Sequence, residues 1–244
     1  MNTEPNLSSE ENARLIIDFF HRTMMHHAMW FANVQQNLGK EKALEVLDRV
    51  YKQTYSLQMN RLSKVLGFEM KTDLPAPLLQ MTEEAQNKLR ESVAVNWLAN
   101  DGIWFQAVEF SHDMQLAKTC NDASWADFSP LEAWSVKRLL NLPEPAGLDG
   151  LKKALFFRLY AFINVQSITD ETPNSFIFRM NDCRVQSARK RKGLDDYPCK
   201  SGGTVEYTSF ASAIDNRIKT ECICCPPDPH GDEFYCAWKF YIEE

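Results

Sequence analysis

The chain lacks a long apolar run, and this absence limits where the protein can reside. Its longest apolar stretches, residues 154–157 and 160–163, are interrupted by Arg158 and Asn164. A membrane-spanning helix needs about 20 consecutive apolar residues. The first residues also lack the cationic and apolar segments of a secretory signal. The sequence therefore predicts a cytoplasmic protein without a membrane partner.

Signatures of several common function classes are also missing. The sequence has no glycine-rich phosphate loop, no nucleophile elbow and no His-Glu-x-x-His helix. Its net charge is -6, and no portion has the basic excess of a nucleic-acid-binding surface. A nucleic-acid partner is therefore not expected. Most familiar enzyme classes lack support, so the sequence leaves open whether the protein is an enzyme.

What the chain does contain is cysteine, crowded toward one end. All cysteines except Cys120 lie after residue 180, and the total of seven is odd. In a reducing compartment this argues for metal ligands or free thiols rather than a disulfide framework. With 244 residues and 44% hydrophobic content, the chain can also bury a sizeable core.

Helix signals fill the first part of the chain. Ser8 and Glu11 form the pattern of a capping box at the start of a first helix. Gly39 separates this helix from a second one, which Gly67 ends. The pattern predicts a helical hairpin.

Two further helices are predicted after this hairpin. Thr82 can cap the first of them, and Ser129 with Pro130 indicates the start of the second. Prolines and a glycine within residues 143–147 then form the clearest boundary in the chain. We therefore predict a mainly helical region over residues 1–147.

This helical region contains a candidate internal repeat. Residues 30–66 align without a gap to residues 104–140, with seven identities in 37 positions. Chance alone gives about two or three identities, so one interpretation is a duplicated helical hairpin. If two such units pack about a pseudo-twofold axis, four polar side chains could form a pocket between them; otherwise they are surface residues. These are His26, His27, Asp101 and Glu109.

The periodicity changes after the boundary. The predicted elements are a helix over residues 151–165, strands over 175–188, 218–222 and 233–242, and a short helix over 204–214. The predicted fold class is therefore α+β. A cysteine-rich domain with an antiparallel sheet, residues 148–244, follows the helical region.

Cys222 and Cys225 have the spacing that lets two thiolates from one turn reach the same tetrahedral metal. Cys183 and Cys199 could complete a four-cysteine site for zinc or for a [4Fe-4S] cluster. Pro226 favours the cluster slightly, because a proline also follows the last cysteine of some iron-sulfur motifs. We therefore predict a metal site made by these four cysteines.

Other residues near this motif are alternatives. Cys224, Asp228 and His230 are the reserve ligands if one of the four fails. Cys236, on an apolar strand face, and Cys120 are more simply explained by packing. The metal itself could be a functional centre or a purely structural one.

A basic run begins directly after Cys183. Its residues are Arg184, Arg189, Lys190, Arg191 and Lys192. Positive charge here would lower the pKa of nearby thiols and could hold an anionic cluster or a carboxylate-bearing ligand. Arg184 and Arg189 are the cofactor-binding candidates, and the alternative is a solvated loop.

The cysteine-containing segments resemble known families. These segments resemble a bacterial family of uncharacterised cytosolic proteins. They are Met180 to Gly193, Asp196 to Cys199, Thr220 to Cys222, Cys225 to Asp228 and Cys236 to Phe240. The order of elements and cysteines over about residues 150–244 is similar to the L-2-amino-thiazoline-4-carboxylate hydrolase family and to four-vinyl-reductase-type ligand-binding domains. These resemblances imply an α+β domain that binds a small molecule beside a cysteine-bound metal. In the hydrolase case they imply opening of a thiazoline ring.

Three functions are therefore open at this level. The protein could be a binding or sensing module whose metal centre fixes a small-molecule pocket, a hydrolase acting on a cyclic C=N substrate, or a domain that its metal only staples together. An exposed aromatic surface would in addition support a homodimer.

Overall fold

The structure is a computed structural model that describes residues 6–193 and 195–243. It divides into two compact units, Met1–Gln80 and Met81–Glu244, so the predicted boundary near residue 147 falls inside the second unit. No helix among the described residues combines the length and the apolar character needed to cross a membrane.

The first unit is built around a helical hairpin. Its elements are α1 (Ser9–Leu38), α2 (Lys40–Leu66), a ribbon of β1 (Met70–Lys71) and β2 (Leu74–Pro75), and α3 (Ala76–Gln80). The capping box at the start of α1 is confirmed, since Glu11 N donates to Ser8 Oγ and Ser8 N donates to Glu11 Oε2. Gly67 ends α2 with a φ of 74°, in the left-handed region that favours glycine.

The second unit packs helices against a four-stranded sheet. The helices are α4 (Glu83–Ser111), α5 (Met114–Leu140), α6 (Gly147–Leu155), α7 (Arg184–Arg191) and α8 (Lys200–Ile214), with a 3-10 turn at Leu159–Phe162. The strands are β3 (Val165–Thr172), β4 (Ser175–Asp182), β5 (Lys219–Cys224) and β6 (Cys236–Tyr241). They pair in the order β3-β4-β6-β5, and every pair is antiparallel. The α+β fold class is therefore confirmed.

The core lies between this sheet and α8. Trp238 and Phe240 alternate with outward residues on β6 and are fully buried, as are Phe210 and Ile214 of α8. The predicted strand alternation at residues 233–242 is thus confirmed in β6, which is shorter at both ends. Burial of these large side chains is the main stabilising contribution of the unit.

Three predicted element boundaries are wrong. Pro130 does not start a helix but lies inside α5, which Asp113 caps, because packing against α4 and α8 holds the helix through the proline. The strand predicted over 175–188 ends at Asp182, the residue that pairs with the start of β3. The helix predicted over 151–165 stops at Leu155, because the following Arg158 turns inward to two buried carboxylates.

The two long hairpins have matching bounds. A shift of 74 residues relates the bounds of α1 and α2 to those of α4 and α5. It takes position 9 to 83, position 40 to 114 and position 66 to 140, and all six positions are helix bounds. Gly67 and Asn141 both follow the second helix in a left-handed conformation. This is the shift that the identities predicted, and an internal duplication stays a prediction.

Candidate functional site

A cavity of about 460 Å³ lies in the second unit. Its walls come from α4, α5, α7 and α8, together with the adjoining ends of β4 and β6. Sites for small organic molecules usually have volumes of about 300–1,000 Å³. The cavity is therefore large enough for a small organic ligand.

Four of the residues that line this cavity are cysteines: Cys183, Cys199, Cys225 and Cys236. Cys183 follows β4, Cys225 follows β5, and Cys236 begins β6. Since β6 runs antiparallel to both neighbours, these three thiols lie at the same end of the sheet. Cys199 precedes α8 and joins them from the helical side. The topology thus gathers thiols that are distant in sequence.

The four thiols interact with one another. Cys236 interacts electrostatically with Cys183, Cys199 and Cys225. Gln186, a buried residue of α7, donates from Nε2 to Cys199 Sγ at 3.1 Å. All seven cysteines are free thiols.

Burial governs the protonation of most of these thiols. It raises the pKa of Cys183 to about 11 and holds the pKa of Cys199 well above its usual range. The pKa of Cys225 is raised first by its hydrogen bond to Cys236 and then by burial. The basic run is expected to lower thiol pKa values, but burial is the largest influence on the pKa of Cys183 and raises it.

The structure separates the two cysteines of the predicted C-x-x-C motif. Cys225 lines the cavity, whereas Cys222 does not and lies opposite Trp238 in the β5–β6 ladder. A bulge in this ladder separates Cys222 from Cys224. Three members of the predicted quartet therefore share the cavity, and Cys236 is the fourth thiol there.

The donor chemistry of these thiols favours a metal site, whereas their arrangement in the structure does not. Four thiolates are a common ligand set for structural zinc and for iron-sulfur clusters. Across residues 6–193 and 195–243, however, no three His, Cys, Asp or Glu side chains are placed to hold one metal ion. The predicted iron-sulfur cluster or zinc ion stays a prediction.

The reserve ligands have other partners. His230 Nε2 lies 2.8 Å from Asp196 Oδ2, and Asp228 forms an ion pair of 2.7 Å with Lys200. Cys224 lies opposite Ala237 within the sheet. In the structure these contacts hold the β5–β6 loop against neighbouring elements.

The predicted binding arginines both line the cavity. Arg184 and Arg189 lie on α7, so the basic run is helical up to Arg191 rather than a loop, and Lys192 follows the helix. Arg189 Nε donates to the Asp195 carbonyl at 2.6 Å, and the Arg184 side chain is exposed. The structure therefore places these cations at the same cavity as the four thiols.

Two of the four polar residues predicted to share a pocket also line this cavity. Asp101 and Glu109 project from α4, and burial raises the pKa of Asp101. His26 and His27 lie on α1, in the first unit. A pocket formed by all four residues stays a prediction.

A buried ion network adjoins the cavity. Arg158 donates from Nε to Glu132 Oε2 at 2.8 Å, and its NH1 lies 2.7 Å from Glu206 Oε1. All three residues are buried, and Glu206 also lines the cavity. Burial raises the pKa of Glu206 to about 7, although Arg158 opposes this effect. One arginine between two carboxylates leaves an excess negative charge, which a proton on Glu206 removes.

Four cavity residues bury a polar atom that has no hydrogen-bond partner in the described part of the chain, and one of them, Glu206 Oε1, is ion-paired with Arg158. The other three have neither kind of partner among the described residues. These atoms are Asn164 Nδ2, Tyr197 Oη and Trp238 Nε1. A buried polar group without a partner costs about 1–3 kcal/mol, so such groups are uncommon in folded proteins. Asn164 Oδ1 does accept a hydrogen bond from Arg184 N at 2.8 Å, which fixes the orientation of its amide.

Sequence reasoning missed several cavity residues. The predicted alternation of β6 already placed Cys236 and Trp238 on one strand face, and this was the available signal for a role of Cys236 beyond packing. Glu206 had no local signal, because its partner Arg158 is distant in sequence. Cys120 is exposed on α5 and does not line the cavity.

Comparisons with known proteins add a family but no activity. The family model described as a family of unknown function, DUF6125, matches residues 79–242, which span nearly all of the second unit. No curated protein and no solved structure matches the chain.

Proposed function

The chain belongs to DUF6125, a family of unknown function, and we propose that its second unit binds a small organic molecule in the cysteine-lined cavity. The observation that carries this proposal is the set of unpartnered polar atoms of Asn164, Tyr197 and Trp238, which belong to different parts of the fold and line one cavity. A ligand that hydrogen-bonds to them offsets the cost of leaving them unpaired.

The composition of the cavity wall supports the same proposal. Rings of Phe105, Trp125, Tyr160 and Tyr207 line it beside the charged and thiol groups. Mostly apolar walls with a few polar groups are typical of small-molecule sites. The cytoplasmic location that we predict supplies the reducing environment that keeps the thiols free.

Gly102 offers a way to test this proposal. It lines the cavity within α4, and a Cβ at this position would meet no atom within 4 Å. In a thermal-unfolding screen of small molecules, compounds that stabilise the wild-type protein should also stabilise Gly102→Ala. They should not stabilise Gly102→Trp, whose indole fills part of the cavity. At a concentration of 100 Kd a ligand stabilises by about 2.7 kcal/mol, which such a screen detects.

Two results would overturn the proposal. One is a broad screen in which no compound stabilises the wild-type protein. The other is a set of compounds that stabilise Gly102→Trp as much as Gly102→Ala, since their binding site would then lie elsewhere.

A metal centre is the second candidate function, and the gathering of four free thiols at one cavity favours it. In this proposal Cys236 replaces Cys222 as the fourth ligand. Purification without oxygen, metal analysis and a visible spectrum test it in paired variants. Cys236→Ser should lose the metal and Cys222→Ser should keep it, whereas the reverse result supports the quartet predicted from spacing. A wild-type protein without stoichiometric metal contradicts both.

The resemblance to L-2-amino-thiazoline-4-carboxylate hydrolases adds an enzymatic variant of the small-molecule proposal. In it a cavity thiol or a metal-bound water attacks the C=N carbon of a cyclic substrate. Turnover of thiazoline acids by the wild-type protein, lost in Gly102→Trp, would support it. Stabilisation without turnover would favour a binding or sensing module.

A further inference from the structure

The cavity carries charges of opposite sign on different walls. The acidic residues Asp101 and Glu109 lie on α4, and the basic residues Arg184, Arg189 and Lys192 lie on α7 and directly after it. Arg189 is already held by the Asp195 carbonyl, which leaves Asp101, Glu109, Arg184 and Lys192 to be considered. The two signs therefore come from separate elements that face the same space.

These four charges are not neutralised by the protein. Among the described residues, none of them forms an ion pair, either with one another or with another side chain. Glu206, in contrast, is paired with Arg158. Burial raises the pKa of Asp101. Opposite charges that line one cavity without meeting leave room for a bridging ligand.

A second observation points to a ligand between these walls. Trp238 is fully buried and lines the cavity, and its Nε1 has no hydrogen-bond partner among the described residues. Its ring stacks at a tilt on Tyr207, with ring centroids 4.8 Å apart. The site thus combines an aromatic surface with an unused hydrogen-bond donor.

We infer that the ligand of this cavity is a small zwitterion, whose anionic group faces the basic wall that carries Arg184 and Lys192 and whose protonated nitrogen faces the acidic wall that carries Asp101 and Glu109, with an apolar or aromatic body between them. This inference rests on the proposed small-molecule function and adds the chemical class of the ligand. Carboxylates suit arginine because its guanidinium can donate two parallel hydrogen bonds.

The experiment is a calorimetric titration at pH 7 with compounds matched in size. One set is phenylalanine, 3-phenylpropanoate and 2-phenylethylamine, and the other is tryptophan, indole-3-propanoate and tryptamine. Each set holds the ring constant and changes only the charged groups. The zwitterion of at least one set should bind about tenfold more tightly than both singly charged analogues, because each charge contributes a charge-assisted hydrogen bond.

Charge-removing variants identify which wall holds which group. Arg184→Gln should weaken binding of the zwitterion and the anion about tenfold and leave the amine unchanged. Asp101→Asn should weaken the zwitterion and the amine and leave the anion unchanged.

Arg191→Gln and Glu91→Gln are the control variants, and Glu109→Gln is a further test variant. Arg191 lies on α7 and Glu91 on α4, and neither lines the cavity, so their variants remove the same charges from the same helices without touching the site. Both control variants should bind all compounds like the wild-type protein. Glu109→Gln should behave like Asp101→Asn.

The inference is overturned if a singly charged analogue matches the zwitterion in both sets, or if Arg184→Gln and Asp101→Asn behave like their controls. It is also overturned if neither set binds while uncharged compounds stabilise the protein in the thermal screen. In that case the small-molecule proposal survives. If no compound of any kind stabilises the protein, both fail.

Discussion

Glu206 is the residue at which the buried ion network meets the cavity. Its carboxylate pairs with Arg158, which also binds Glu132, and burial raises its pKa to about 7. Removing one member of a buried ion network leaves an uncompensated charge, so loss of Arg158 is expected to destabilise the fold here. The proton on Glu206 couples the charge of the cavity wall to pH.

Glu206→Gln should change how stability depends on pH. The folded-state pKa of about 7 exceeds the ordinary value of 4.5, so the folded protein holds the proton over this window while the unfolded chain releases it. The stabilising contribution of Glu206 is therefore complete below pH 4.5 and is lost as the pH rises toward 7, by up to about 3 kcal/mol. Glu206→Gln should not show this loss of stability, because glutamine does not titrate.

Urea unfolding of both proteins between pH 4 and pH 8, a range chosen to bracket the two pKa values, measures the difference. Glu221→Gln is the control, because Glu221 is exposed on β5. Wild-type and Glu206→Gln profiles that run parallel across this range would contradict the prediction.

At the scale of elements, α8 owes its position to two consecutive glycines. A Cβ on Gly202 would lie 3.1 Å from both Asn121 Nδ2 and Asp122 Oδ1 of α5. A Cβ on Gly203 would lie 2.8 Å from Trp238 Cζ2, in a ring that is fully buried. The start of α8 therefore approaches both α5 and β6 more closely than a larger residue allows, and this contact forms one side of the cavity.

Gly203→Ala should destabilise the protein even though alanine favours helices. The added methyl group meets a fully buried indole ring, and such overpacking costs about 1–3 kcal/mol. Gly102→Ala is the matched control, since the same change in α4 meets open space and should stabilise by roughly 0.5–1 kcal/mol. Chemical denaturation should show a lower free energy of unfolding than the wild-type protein for Gly203→Ala and a higher one for Gly102→Ala. A Gly203→Ala protein as stable as Gly102→Ala would show that the ring can move aside.

For the whole molecule, the family match and the compact second unit coincide. The match covers residues 79–242 and the unit covers Met81–Glu244, which contains the cavity and all seven cysteines. The first unit exposes large apolar side chains of α1, among them Ile17, Phe20 and Trp30. A homodimer formed through an exposed apolar surface stays a prediction.

A fragment of residues 81–244 should fold without the first unit. Its core of sheet and helices lies within these residues, and a domain of this size can bury enough apolar surface to be stable alone. Circular dichroism should show one cooperative thermal transition, and every compound found in the screen should stabilise the fragment as it does the full chain. A fragment that fails to fold, or that folds and loses binding, would give the first unit a direct role.

The sequence by itself determined the structural features that depend only on residues close together in the chain. The capping box of Ser8, the end of α2 at Gly67 and the alternation of β6 follow from local hydrogen bonding and side-chain period, so all three could be predicted. The crowding of cysteines near the end of the chain also pointed to segments that line the cavity. The α+β class followed from these local patterns.

Only the tertiary structure decided which side chains share the cavity. C-x-x-C spacing pairs Cys222 with Cys225, but the register of β5 and β6 brings Cys225 to Cys236 and leaves Cys222 beside Trp238. Strand register depends on pairing between segments far apart in sequence, as does the pairing of Arg158 with Glu206. Local spacing does not encode such long-range contacts, because they form only when the sheet and α8 pack together.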